Sequence, residues 1–302
     1  MKFFLLERVL NSKDQISITG QEFEDIRKAK LITLEALAIE EKYYLLLQNY
    51  LDFEKSLHDH ALNSLLFRDY DWSDKVDNIH SINKSLVNLL SAGKMYVDHI
   101  PQHLNTVFDP SLAESEEFVK STNTQYDSSF GYRVLAALRN HTQHSDFPIQ
   151  SLTYNMNWIN FTGKRLCRHS ATANIHIDAI ARNKKFKPSI KAELEAIGEK
   201  VDIKPIVRQY ASSFAVLHKQ VRTLLEPASA IWDKKITDAS TKFKSHFLRD
   251  AIGLHATSIS ENGEFDEQLS IFTDVIDRRR YLERRATTIA NLDVHFISGD
   301  IG

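Results

Sequence analysis

The residues best suited to chemistry stand together in "LRNHTQHS", Leu138–Ser145, after the apolar run "GYRVLAAL". An arginine presents a fixed cationic fork that fits phosphate oxygens. A histidine titrates near neutrality and can take or give a proton at working pH. RNA carries its own nucleophile, the 2′-OH. An arginine that stabilises developing charge and a histidine that moves protons could therefore cleave it without a metal. Arg139 and His144 lie at i and i+5, about 140° apart around an ideal helix. They meet on one substrate only if the helix turns between them or a second copy of the chain supplies the complement. Asn140 and His144, at i and i+4, share a face. The competing structural reading is that Arg139 and His144 bind the free carbonyls of a helix C-terminus.

Other polar groups invite the same question. Residues 164–187 hold Lys164, Arg165, Arg168, Arg182, Lys184, Lys185 and Lys187 against one acid, Asp178. This stretch is either an RNA-backbone patch, with Lys164, Arg165, Arg168, Lys184 and Lys185 as its contacts, or a solvated loop. Tyr154, Trp158 and Phe161 could stack bases or fill a core. In "DRRRYLERRA", five arginines between Arg278 and Arg285 pair with Asp274, Asp277 and Glu283 or form a second phosphate patch. His58 and His60 flank Asp59, but i, i+2 side chains point apart on a helix, so no metal site is expected there. His141 either assists His144 or is exposed, and His176 is placed on the polar face of a strand. A second arginine–histidine spacing, Arg249 to His255 in "RDAIGLH", lacks an adjacent Asn and is taken as coincidental. The chain has no P-loop, G-x-G-x-x-G or G-x-S-x-G pattern, so nucleotide hydrolysis by a P-loop, dinucleotide chemistry and the usual serine-esterase layout lack support.

Composition bounds the setting. The formal net charge of −2 gives no general attraction to polyanions. Binding to them must come from a local patch. Cys167 is the single cysteine, so an intrachain disulfide and a cysteine-based zinc site are ruled out and a reducing cytoplasm is the expected compartment. "MKFFLLERVL" has too short an apolar run for a leader, and no stretch approaches the length of a membrane span. No cofactor and no metal are expected.

These groups must be positioned by helices. Only 9 Gly and 6 Pro interrupt 302 residues, which favours long helices. Residues 1–20 read as a strand or a short helix and then a loop. An amphipathic helix follows over about 21–67, with Leu37, Tyr44 and Leu51 repeating at seven, Leu34 and Leu47 widening the stripe, and a break near His58–His60 allowed. From about Val76, Ile79, Ile82, Leu86, Leu89, Gly93, Val97, Ile100 and Leu104 make a bundle seam. Gly93 permits close approach of a neighbour, and Pro101 kinks or ends the helix. Asp109 or Ser111 caps a third helix. "FGYRVLAALRNHTQH" is the fourth, apolar at Val134, Leu135 and Leu138. "SLTYNMNWINF" and "ATANIHID", separated by "TGKRLCRHS", read as a β-hairpin or two extended arms. Helices resume over about 189–200, 205–225 and 228–248; a turn near Gly253 and Gly263 precedes a last helix over about 265–290 and an extended tail.

R-x-x-x-x-H with Asn directly after the Arg, on a helix of an all-α bundle, resembles the HEPN superfamily (higher eukaryotes and prokaryotes nucleotide-binding domain). The resemblance covers about residues 20–150. Apolar periodicity and scarce breakers give a mainly α fold, with a small β-hairpin insertion and a C-terminal helical region, 186–302, that lie outside the resemblance; the resemblance implies that residues 1–185 hold a HEPN-like helical bundle. It also implies a metal-independent endoribonuclease with Arg139, Asn140 and His144 as catalytic residues and RNA as substrate. A homodimer would set two motifs on one cleft. The biological setting implied is a toxin or phage-defence effector, with an antitoxin protein as a candidate partner. The alternative is a non-catalytic helical dimerisation or adaptor protein.

Overall fold

The computed structural model describes residues 1–9, 14–67, 71–108, 113–161 and 163–295. The chain is mainly α-helical, with two small antiparallel sheets. In order, the elements are β1 (Lys2–Glu7), β2 (Gln15–Ile18), α1 (Gly20–Leu66), α2 (Trp72–Val107), α3 (Glu114–Ser128), α4 (Phe130–His144), β3 (Ser151–Phe161) and β4 (Lys164–His176). Then come α5 (Ile177–Ala181), α6 (Pro188–Glu195), β5 (Lys200–Asp202), α7 (Ile203–Phe247), β6 (Leu254–Ile259), β7 (Phe265–Ser270) and α8 (Asp274–Arg285), with a 3₁₀ turn at Leu292–Val294 in place of part of the expected extended tail.

The helices start where local chemistry lets them. At α1, Glu22 Oε2 accepts from Thr19 N–H at 2.7 Å and Thr19 Oγ1 accepts from Glu22 N–H at 3.1 Å, a reciprocal capping box. α1 then runs 47 residues without a break at His58–His60. Its buried stripe is Ile32, Ala36, Ile39, Tyr43 and Leu46, whereas Leu34 and Leu51 of the expected stripe are exposed. The segment is apolar around so much of its circumference that several stripes fit, and packing chooses among them. The seam of α2 is as expected: Ile82, Leu86, Leu89, Ile100 and Leu104 are buried. Pro101 lies inside α2 and does not end it; Pro227 likewise lies inside α7, which replaces two expected helices. A helix-interior proline costs about 3 kcal/mol, and burying Ile100 and Leu104 at about 1.5–3 kcal/mol each offsets it. The expected caps of α3, Asp109 and Ser111, lie outside the described residues.

Two regions differ from the sequence reading. Residues 254–270 form two strands where a turn and a helix were expected, so the last helix is confined to α8. They join β1 and β2 in a sheet of order β2-β1-β6-β7. β7 reads "FDEQLS" and, on the sheet edge, buries only Leu269, too few apolar positions to mark a strand. The hairpin is also tighter than expected. Gly163, at φ +77°, lets Phe161 pair directly with Lys164, so most of "TGKRLCRHS" lies within β4 instead of separating two strands. β5 completes the second sheet, β3-β4-β5.

The chain forms two compact units, each from three separated segments. The first comprises Met1–Glu41, His99–Phe118 and Lys219–Thr287; the second comprises Lys42–Asp98, Val119–His218 and Thr288–Gly302. The 185/186 division therefore falls inside the second unit. In the first, Leu5, Ile18, Leu254, Ala256 and Leu269 of the sheet meet Phe23, Ile26, Ile236, Phe243 and Ile276 of the helices in one core. In the second, buried His218 stacks on Tyr43 at 3.9 Å and bonds Tyr96 Oη through Nδ1 at 2.9 Å.

Within the second unit, two glycines let α7 come close. A Cβ on Gly93 of α2 would stand 2.2 Å from Tyr210 Oη, and one on Gly131 of α4 would stand 2.5 Å from the Ile206 carbonyl. Tyr210 is a side chain that can move; the Ile206 carbonyl is helix backbone. We therefore expect Gly131→Ala to destabilise the protein: overpacking costs about 1–3 kcal/mol against a helix-propensity gain of about 1 kcal/mol. A urea-denaturation midpoint at or above wild type would contradict this account of the α4–α7 contact.

Candidate functional site

The candidate site is built around the last two turns of α4, in the second unit. Ser129 caps the start of the helix, its side chain accepting from Tyr132 N–H. Tyr132, Val134, Leu135, Leu138 and His141 form the buried face. Arg133 ties the helix to α6 through Glu193 at 2.7 Å. α4 stays helical through His144, so nothing turns between Arg139 and His144. One copy of the chain does not bring the two side chains together.

Arg139 and Asn140 line a groove of about 310 Å³ with Gly93, Tyr132, Tyr210 and Phe214. Arg139 is half-buried; its Nε is buried without a hydrogen-bond partner, and its Nη1 lies 3.4 Å from Asn140 Oδ1. His144 is exposed on the final turn. At the helix end the His141 carbonyl accepts from Ser145 N–H at 2.8 Å.

His141 has a different role from the one its neighbourhood suggests. It is 1% exposed, and Asn183 Nδ2 donates to its Nδ1 at 3.0 Å. Its ring meets Phe186 edge-on at 6.1 Å. The imidazole thus pins residues 182–187 to the end of α4 and is neither exposed nor free to assist His144. Lys184 and Lys185 are exposed on that pinned segment. The sequence signal was present: Val134, Leu138 and His141 fall at i, i+4 and i+7, on the buried stripe. Asn183 carried no signal, because its partner lies 42 positions away.

The other predicted RNA contacts lie on the hairpin. Lys164, Arg165 and Arg168 are exposed on β4, and the Arg165 guanidinium sits 4.9 Å from the Trp158 ring centroid. Trp158 is 57% exposed and fills no core. Tyr154 Oη instead accepts from Asn78 of α2 at 3.3 Å; the Phe161 side chain lies outside the described residues. The hairpin base is held firmly. Buried Asn83 bonds both the N–H and the carbonyl of Ile149, and His176 Nε2 meets Ser151 Oγ at 2.7 Å.

The remaining candidates are structural. His58 is exposed and His60 buried on α1, as their spacing requires. Arg249 is held by Glu7 and Asp14 of the first unit, while His255 bonds the Gly253 carbonyl and Ser270 Oγ. On α8, buried Arg279 pairs with buried Asp233, a partner from α7 outside the local run, and Arg278 and Arg285 lie against Tyr281. Among the described residues no helix is long and apolar enough to cross a membrane.

The chain matches no protein-family model, no curated protein and no solved structure. The HEPN resemblance therefore rests on the motif and its helical setting.

Burial pushes the His141 imidazolium below its ordinary pKa of 6.5, against a weaker opposing pull from Asp146; burial also lowers His60. The unfolded chain then takes up these protons first as pH falls through 6.5. Stability should be full above that pH and decline below it, levelling once the lower folded values are passed. His141→Gln should flatten the decline without abolishing it, because His60 remains; urea midpoints at pH 7.5 and 5.5 measure both slopes, and an unchanged slope in the variant would remove His141 from the account.

Proposed function

We propose that the protein is a metal-independent endoribonuclease of the HEPN type that works as a homodimer. The observation that carries this reading is the state of the motif at the end of α4. Arg139 and Asn140 face an open groove and His144 faces outward, and the His141 carbonyl is taken by the Ser145 N–H and not by either side chain. A pair retained only to cap the helix would be spent on its carbonyls. The exposed cations Lys184 and Lys185 are pinned beside the same turns, which suits a phosphodiester backbone.

The angular separation of Arg139 and His144 supports a complement supplied by a second copy. His144 of one protomer would face Arg139 of its partner across the bound RNA. The 2′-OH attacks the adjacent phosphorus and the bond to the 5′-oxygen breaks. The imidazole takes the 2′-OH proton and returns it to the departing 5′-oxygen, leaving a 2′,3′-cyclic phosphate. Arg139 holds the non-bridging oxygens as charge builds, and Asn140 orients the phosphate or the guanidinium. The setting implied by the HEPN resemblance is a toxin or phage-defence effector restrained by an antitoxin protein.

The alternative, a non-catalytic dimerisation or adaptor protein, takes its support from the same divergence within one chain. Incubation of the purified protein with mixed RNA in EDTA separates the two. Cleavage to cyclic-phosphate ends is expected, with losses of about 10²–10⁴-fold in His144→Ala and about 10²–10³-fold in Arg139→Ala. Mixing the two inactive variants should restore part of the activity, because half of the sites in a mixed dimer regain both groups. Equal cleavage by wild type and His144→Ala would refute the site, and no cleavage by any form would favour the adaptor.

A further inference from the structure

The β3–β4 hairpin has properties that the reaction centre does not explain. Residues 147–177 contain no Asp or Glu, although these make up 40 of the chain's 302 residues. The same stretch carries Lys164, Arg165 and Arg168, all exposed. Register places Met156 opposite His169, Trp158 opposite Cys167 and Asn160 opposite Arg165. Directly paired residues share a face of the ribbon. That face therefore continues from Ala171, Ala173 and Ile175, which are buried, to Met156 and Trp158, which are 62% and 57% exposed.

A two-stranded ribbon with neither face covered is marginal on its own. The outer half of this hairpin is held at its base and extends apolar side chains into solvent. Arg165 lies over the Trp158 ring. An exposed cation–π contact of about 0.5–1 kcal/mol orients the indole without burying it. The result is a presented π-surface with Arg165 on its own face, while Lys164, opposite Phe161, and Arg168, opposite Asn157, stand on the other face of the ribbon; no acid of residues 147–177 opposes an anion.

Charge narrows the occupant. A second copy of this face would set Arg165 against Arg165, with no acid of the hairpin to pair either. A duplex presents phosphates but keeps its base faces stacked inside, so it could use the cations and not the indole. A single strand uses both: an unstacked base meets the ring beside Arg165, and the backbone, passing over the ribbon's edge, meets Lys164 and Arg168 on the other face. We propose that the β3–β4 hairpin is a single-strand RNA-binding arm, with a base stacked on Trp158 and the backbone held by Lys164, Arg165 and Arg168. The proposal rests on RNA being the substrate, but it concerns binding and not cleavage.

The test uses the full chain carrying His144→Ala, so that RNA survives, and follows the anisotropy of a labelled single-stranded 12-mer and of its duplex. The single strand should bind more tightly than the duplex. Trp158→Ala should weaken single-strand binding about 10- to 100-fold, while Trp158→Phe, which keeps a π-face, should retain most of it. Lys164→Ala with Arg168→Ala should reduce the salt dependence of the affinity, by about 0.7 log units per lost phosphate contact. Unchanged affinity in the alanine variants, equal affinity for the duplex, or a change in oligomeric mass with Trp158→Ala would each overturn the arm. Single-strand binding without cleavage by wild type would leave the arm standing and remove only the nuclease; cleavage with no effect of Trp158 would do the reverse.

Discussion

The candidate site depends on the absence of a side chain at Gly131. A Cβ there would reach 2.5 Å from the Ile206 carbonyl, and hydrogen-bonded helix backbone cannot step aside as a side-chain tip can. Without that Cβ, α4 lies directly against α7. Tyr210 and Phe214 of α7 then become one wall of the groove that Arg139 and Asn140 line. Gly93 does the same for α2, where Tyr210 Oη occupies the space a Cβ would fill. The groove is thus a consequence of how closely three helices approach, and its arginine is placed by packing several residues earlier in α4.

Polar anchors then fix what surrounds the helix end. His141 and Asn183 join α4 to the cationic segment 182–187, and Asn83 holds the chain at Ile149 just before the hairpin. His141 and Asn83 are buried, where loss of the bond each makes would cost about 1–3 kcal/mol, so neither is easily released. The groups they carry, Lys184, Lys185 and the outer hairpin, are exposed. Rigid attachment and solvent-facing cations together suit a surface that meets a charged polymer. The overall charge of −2 does not oppose this, because screening limits the reach of distant acids to about 8–10 Å. The local run without Asp or Glu governs the potential that a ligand meets.

Much of the helical architecture was legible in the residues. The seam of α2 was legible because its apolar residues recur at steps of three and four, although Leu90 and Tyr96, also buried, lie outside it. α1 could not be read that way: it is apolar on several sides, and Leu34 and Leu51 proved exposed while Ile32 and Ile39 are buried. The prolines misled for an energetic reason. Their local cost is fixed, but the burial on either side that offsets it depends on partners distant in sequence. β6 and β7 escaped notice because β6 pairs with β1 from the far end of the chain and β7 buries a single side chain.

For the site, the chemistry of Arg139, Asn140 and His144 and their divergence around α4 followed from residue type and helical spacing alone, as did the cationic character of residues 164–187. Both are local properties, set by 3.6 residues per turn and by side-chain charge. Tertiary structure decided the rest: that His141 is an internal pin, that Lys164, Arg165 and Arg168 stand on a strand instead of in a loop, and that Trp158 faces outward. Each of these depends on contacts between segments separated in the chain, whose free energies are realised only when the fold brings them together.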